Sequence, residues 1–220
     1  CRSTKRNDTK ISLIMIKNSA FILLAILMFA CSTSKKIVKT TAVETEKIEN
    51  KIGTIKNQYP QKTRKITAKK DTNGYLSGVA NKDSFQDDSF KDWFNSRYSE
   101  YTADKEIVDK LTTALKGYTI KGFMGTWCGD SKRETPRLYK ILDETGFDQN
   151  NFELITVNRG KKTPDNLQEG LNILRVPTFI FYKGNKEVGR YVEYPRETIE
   201  KDILKIVTGQ PYKHSYDKSN

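Results

Sequence analysis

The strongest constraint on the fold is a change of apolar period along residues 90–207. Phe90, Trp93, Phe94, Tyr98 and Tyr101 fall at helical spacing, as do Ile107, Val108, Leu111 and Leu115, which predicts two consecutive helices. Thr102 or Asp104 is placed to cap the second, and Gly117 to end it. The pattern then shortens. Tyr118–Met124 reads as a strand, Ser131–Thr145 as a helix with Pro136 inside it and Gly146 as its stop, and Phe152–Val157 as a strand. Asn166–Leu171 reads as a short helix and Val176–Tyr182 as a buried-type strand. A Gly184-Asn185 turn returns the chain as Glu187–Val192, and Pro195 opens a last helix to Val207 that Gly209 closes. The order α-β-α-β-α-β-β-α predicts an α/β fold: a mixed sheet flanked by helices on both faces, behind an N-terminal helical extension.

Charge separates this domain from what precedes it. The 220 residues carry a net +12, a figure that suggests nucleic acid until it is located. Residues 1–30 hold +4, residues 31–70 hold +8, and residues 71–220 balance 23 basic against 23 acidic side chains. The folded part therefore has no basic excess, and a nucleic-acid partner is not expected.

The first 70 residues read as topology. Ala20–Ala30 is an unbroken apolar run of 11 residues, too short to span a bilayer, which takes about 20. With Lys17 before it and Met15 as a natural start, it fits a signal peptide within residues 1–30. Its end, Met28-Phe29-Ala30-Cys31, resembles a bacterial lipoprotein signal, with Met28 where that family usually has Leu. The resemblance implies lipid on Cys31 and a membrane as partner. Ser32 after the cysteine implies the periplasmic face of the outer membrane in the cell envelope. Residues 31–70 are polar, rich in Lys and Thr, and read as a basic tether. The domain is expected over 71–210, with a polar tail at 211–220 that holds His214, the only histidine.

Chemistry concentrates at the end of the first strand, in Gly125-Thr126-Trp127-Cys128-Gly129-Asp130-Ser131-Lys132. A cysteine at a strand-to-helix turn sits where free backbone N–H groups and the positive helix end stabilise negative charge on sulfur. This segment resembles the Trp-Cys-x-x-Cys active site of thioredoxin-like proteins. Pro136, eight residues on, and Val176-Pro177-Thr178 before a hydrophobic strand agree with that family's pattern. The resemblance covers about residues 85–208 and implies a thioredoxin-like mixed sheet. It implies Cys128 as nucleophile, Trp127 as a flat wall beside it, Pro177 as a cis-proline opposite the thiol, and Val176, Pro177 and Thr178 as a substrate-binding edge.

Two positions depart from the family. Ser131 replaces the second cysteine, so the site reads Cys-Gly-Asp-Ser, and Gly122 stands where the family has a buried acid. Cys128 can then form a mixed disulfide but cannot release itself through an internal bond. The Ser131 hydroxyl is one helical turn away, in reach of the Cys128 sulfur. Gly129, Asp130 and Lys132 set the local field at the helix start, with Lys132 and Arg133 available to steer anionic thiols. The expected activity is monothiol thiol–disulfide exchange with protein or small-molecule thiols and disulfides; the alternative is a degenerate module that binds peptide or protein. No cofactor is expected. One cysteine with a distant His214 cannot close a metal site. Arg159–Pro164 (RGKKTP) reads as a solvated loop with the charge to hold an anion. The sequence leaves the oligomeric state open.

Overall fold

The computed structural model describes residues 65–217; the expected signal peptide, Cys31 and the expected tether up to residue 64 lie outside the described residues. In chain order the elements are β1 (Lys69–Lys70), β2 (Leu76–Ala80), α1 (Lys91–Glu100), α2 (Lys105–Ala114), β3 (Tyr118–Met124), α3 (Gly129–Glu144), β4 (Phe152–Thr156), β5 (Thr178–Lys183), β6 (Lys186–Val192) and α4 (Ile199–Thr208). They form one six-stranded mixed sheet, ordered β1-β2-β4-β3-β5-β6, flanked by helices. Only β3 and β4 pair in parallel, with Gly122 opposite Leu154. All other neighbours are antiparallel. The β3–β4 connection runs through α3, the crossover that a parallel pair requires.

The local reasons for the elements are visible in their ends. Asp104 caps α2 by accepting from the N–H groups of Glu106 and Ile107. Gly146, at φ 65°, follows α3, and the Phe147 N–H returns to the Leu142 carbonyl. Gly184, at φ 59°, supplies the left-handed residue of the β5–β6 hairpin. Pro136 lies inside α3 and is buried there.

Three expectations need correction. First, the sequence predicts no strand before Tyr118, yet β1 and β2 precede it, with Lys69 opposite Ser77. Leu76, Gly78 and Ala80 alternate inward over only five residues. Gly78 has φ 127°, and a Cβ there would come within 2.9 Å of the Ala68 backbone. Second, Asn166–Leu171 is a string of turns rather than a helix. Asn166 and Gly170 have positive φ, and three-residue-spaced hydrogen bonds replace a helical ladder. Third, α4 begins at Ile199 with Thr198 as its cap, not at Pro195. The backbone N–H groups of Arg196 and Glu197 donate to the buried Asp202 carboxylate, which holds the segment outside the helix.

Packing follows the strand alternation. Ile120 and Met124 of β3, Leu154 of β4 and Phe179 and Phe181 of β5 share the main core with all four helices. Phe123, Ile155, Val157 and Ile180 belong to a second, smaller cluster that Ile173 and Val176 complete. Leu167 and Leu171, from the turns at 166–171, pack against it.

The N-terminal extension is part of the main core. Phe85 is fully buried, with its ring stacked on Phe94 at 4.8 Å between centroids and edge-on to Trp93 at 5.8 Å. Phe94 meets Tyr139 of α3, and Tyr139 meets Phe152 of β4. Removing the first ring of this chain leaves a cavity inside the domain. Phe85→Ala is therefore expected to lower unfolding free energy by about 3–5 kcal/mol, read by chemical denaturation. A loss below about 1 kcal/mol would show the extension to be peripheral.

Candidate functional site around Cys128

The central strand β3 ends at Met124, and four residues later Cys128 starts α3 as its N-cap residue. The Cys128 N–H donates to the Gly125 carbonyl at 2.9 Å, closing the turn. The Cys128 side chain makes no capping bond; its S–H donates to the Val176 carbonyl at 3.2 Å. The Val176–Pro177 peptide bond is cis, and Pro177 leads directly into β5. Two segments 48 residues apart thus meet at the sulfur. Cys128 is half-buried, the degree of access that a nucleophile working on a protein surface needs.

Trp127 is held from both sides. Its indole N–H donates to the Val157 carbonyl just past β4, at 2.9 Å. Its ring covers Gly125 so closely that a Cβ there would come within 2.5 Å of it. Thr126, almost fully buried, accepts from the Leu76 N–H at 3.1 Å and ties the loop to β2. Ser131 is fully buried, and its hydroxyl oxygen accepts from the Gly125 N–H at 3.2 Å, which makes it a brace for the loop.

The charges at the helix start are committed elsewhere. Asp130 pairs with Arg133 at 2.6 Å. Arg133 and Arg137 also pair with Glu134, which is 0% exposed. Burial works against the Arg133 charge, but the hydrogen bonds to Glu134 and Asp130 outweigh it and raise its pKa. Glu134 Oε2 and the Tyr191 hydroxyl are both buried and interact with each other. Burial, with the neighbouring Glu134 charge second, pushes the Tyr191 phenol far above its usual range. The Lys132 ammonium lies over the Trp93 ring at 5.7 Å. Arg133 is thus paired with carboxylates, whereas Lys132 keeps its charge unpaired among the described residues, beside a ring.

An open cleft of about 590 Å³ lies over the thiol, lined by Trp127, Cys128, Arg159, Lys161, Leu174, Arg175, Val176 and Glu193. Of the expected residues, Trp127, Cys128 and Val176 come together there. Gly129 is exposed beside it. Thr178 is buried in β5, donates to the Arg175 carbonyl and lines a different cavity with Arg190 and His214. Burial lowers the His214 pKa. Arg159 is exposed, as a solvated loop implies, and its guanidinium also lies 5.5 Å over the Trp127 ring and 5.2 Å over Tyr75 and donates to the Tyr75 hydroxyl at 2.9 Å. The charged RGKKTP run was the sequence signal for it. Tyr75 and Leu174 gave none. Among the described residues, no three His, Cys, Asp or Glu side chains are grouped to hold a metal ion, and no helix is long and apolar enough to cross a membrane.

The thioredoxin family model matches residues 101–205. Thioredoxin-2 of Saccharomyces cerevisiae is 30% identical over 94 residues, which span 43% of this chain and 78% of that protein. The chain belongs to the thioredoxin family. A thioredoxin-like protein of Acanthamoeba polyphaga mimivirus is 29% identical over 106 residues, 46% of this chain and 74% of that one. Thioredoxin of Gallus gallus is 24% identical over 98 residues, 44% of this chain and 88% of its own.

Within this thioredoxin-family frame, Gly122 is a packed position rather than a vacant one. A Cβ there would stand 3.0 Å from Leu154 Cδ1 and Phe152 Cε2 and 3.1 Å from Phe179 Cδ1. Apolar side chains occupy the space an acid would need. Gly122→Ala is expected to cost about 1–3 kcal/mol by overpacking, measured by denaturant unfolding, and Gly122→Asp more, because it also buries a charge. An unchanged midpoint for Gly122→Asp would show that room for the acid exists.

Proposed function

We propose that this protein carries out thiol–disulfide exchange through Cys128 alone. The observation that carries the reading is the half-buried sulfur at the α3 N-terminus, 3.2 Å from the carbonyl that precedes the cis proline, at the floor of an open cleft. Cys128 is the only cysteine among the described residues.

The chemistry is a displacement at sulfur. The Cys128 thiolate attacks one sulfur of a substrate disulfide. A Cys128–substrate bond forms as the substrate S–S bond breaks, and the second substrate sulfur leaves as a thiolate that takes a proton from water. Ser131 cannot resolve this intermediate. Release therefore uses a thiol from outside. Another cysteine of the substrate gives isomerisation; a separate thiol gives reduction and is itself oxidised. Trp127 supplies a flat apolar wall, and the Val176 backbone presents an edge along which an extended peptide can lie.

We further place the domain at a membrane of the cell envelope, through lipid on Cys31 and the basic tether, as the Met28-Phe29-Ala30-Cys31 pattern suggests. Labelling with a radioactive lipid precursor should mark the protein, and Cys31→Ala should lose the mark. Label that survives the substitution would end the lipoprotein reading.

The exchange reading is tested with a disulfide-bonded model peptide. The protein is expected to accumulate a stable mixed disulfide at Cys128 that only added thiol releases. Cys128→Ser should form none. Ser131→Cys, with a second thiol one turn along α3, should release the peptide with no added thiol. A native Cys128 that resists both the peptide and alkylation at neutral pH would leave a peptide-binding module without chemistry.

A further inference from the structure

Around the thiol, the cleft carries more positive charge than its surroundings. Three of its lining residues are cationic, Arg159, Lys161 and Arg175, and one is acidic, Glu193. Arg175 is already engaged: it pairs with Glu193 at 3.3 Å and lies 3.5 Å over the Tyr216 ring. Arg159 and Lys161 are paired with no carboxylate among the described residues; Arg159 is held only by Tyr75 and Trp127. At the helix start, Arg133 is neutralised by Asp130 and Glu134, and Lys132 lies over the Trp93 ring outside the cleft lining. Residues 71–220 have a net charge of zero, so the excess is local to the cleft.

The loop that carries these cations is closed by its own hydrogen bonds, the Lys161 N–H donating to the Asn158 carbonyl at 2.8 Å and the Lys162 N–H donating to the Asn158 side chain at 3.0 Å. Arg159 is stacked on the residue that precedes the nucleophile, so its charge is presented within the path of anything that reaches Cys128 along Trp127. The cleft is not a purely ionic surface. Leu174, 71% exposed, is one of its walls and offers apolar contact beside the Val176 edge.

We propose that Cys128 selects disulfides in extended peptide segments that carry carboxylates next to the reacting cysteine, with Arg159 and Lys161 reading the charge and Leu174 an apolar neighbour. The inference rests on the exchange reading above. The capture step is balanced without any further reagent: the Cys128 thiolate displaces one half of the peptide's disulfide as a thiolate, and the peptide stays attached through a new S–S bond. The cations act on encounter, where a focused field of opposite sign raises association rates. Acidic peptide is favoured over a membrane surface or nucleic acid because the charge lies in a cleft with a thiol floor and an apolar wall, not along an open face.

The test uses the full chain and two peptides of one sequence, with Asp or Lys at the positions flanking a single cysteine that is activated as its neutral thiopyridyl disulfide. The rate of pyridinethione release reads the capture step. The Asp peptide is expected to react about tenfold faster than the Lys peptide at low salt, with the ratio falling as salt rises. Lys161→Glu and Arg159→Gln should each reduce the ratio, and the double variant should bring it to about one or below. Taking the ratio within each variant cancels any general loss of reactivity from a disturbed Trp127. Equal rates for the two peptides with wild type, or a ratio that survives the double variant, would overturn the charge selection while leaving exchange intact. A folded protein that captures neither peptide would overturn both readings.

Discussion

Strand β3 has a partner on each edge, β4 in parallel and β5 antiparallel, and the site depends on that double pairing. The parallel edge requires the chain to leave β3 through a helix and come back. Cys128 therefore sits at a strand-to-helix turn. The antiparallel edge brings Thr178 opposite Phe123, so the residues just before β5 lie beside the residues just after β3. The contact between the Cys128 sulfur and the Val176 carbonyl is the local consequence. A register slip of one residue in β5 would turn Phe179 and Phe181 out of the main core, so the core that stabilises the domain also sets the position of the thiol.

The surroundings of the thiol divide into a rigid part and an available part. Thr126, Trp127 and Ser131 each spend their polar atoms on backbone: the Leu76 N–H, the Val157 carbonyl and the Gly125 N–H. Beneath them, Glu134 binds Arg133 and Arg137 inside the domain. What stays open is the sulfur, the flat side of Trp127 and the loop cations Arg159 and Lys161. Preorganised support below and unpaired charge above suit a site that meets its substrate by encounter and reacts at one atom. At Gly122, side chains of Phe152, Leu154 and Phe179 fill the place that an acid would need.

Much of this was legible in the sequence, and the reasons differ by element. The α2 helix announces itself through Val108 and Leu111 and the Asp104 cap, and β3 through an apolar run that ends at Met124. Trp127 and Cys128 are adjacent in the chain, so the core of the site needed no knowledge of the fold. The strands β1 and β2 were hidden because two lysines and a five-residue Gly-containing segment carry almost no strand signal; their pairing comes from tertiary contacts. Leu167 and Leu171 have helical spacing and are packed inward, yet the positive φ of Asn166 and Gly170 makes turns of the segment. Arg159 and Tyr75 meet over 84 residues of chain, a contact that only the sheet order creates. That the Ser131 hydroxyl also accepts from the Gly125 N–H follows from its burial, which spacing along the chain does not reveal.

The claim that gathers these observations is that one sulfur, unaided by a second, exchanges disulfides in the cell. The most direct measurement is to quench cells with acid, isolate the full-length chain without reductant, and identify by mass spectrometry what is attached to Cys128. The account predicts Cys128 joined through disulfides to peptides of other proteins, with none attached in Cys128→Ala. A chain recovered in equal amount whose Cys128 is uniformly a free thiol, under oxidising as well as resting conditions, would contradict it.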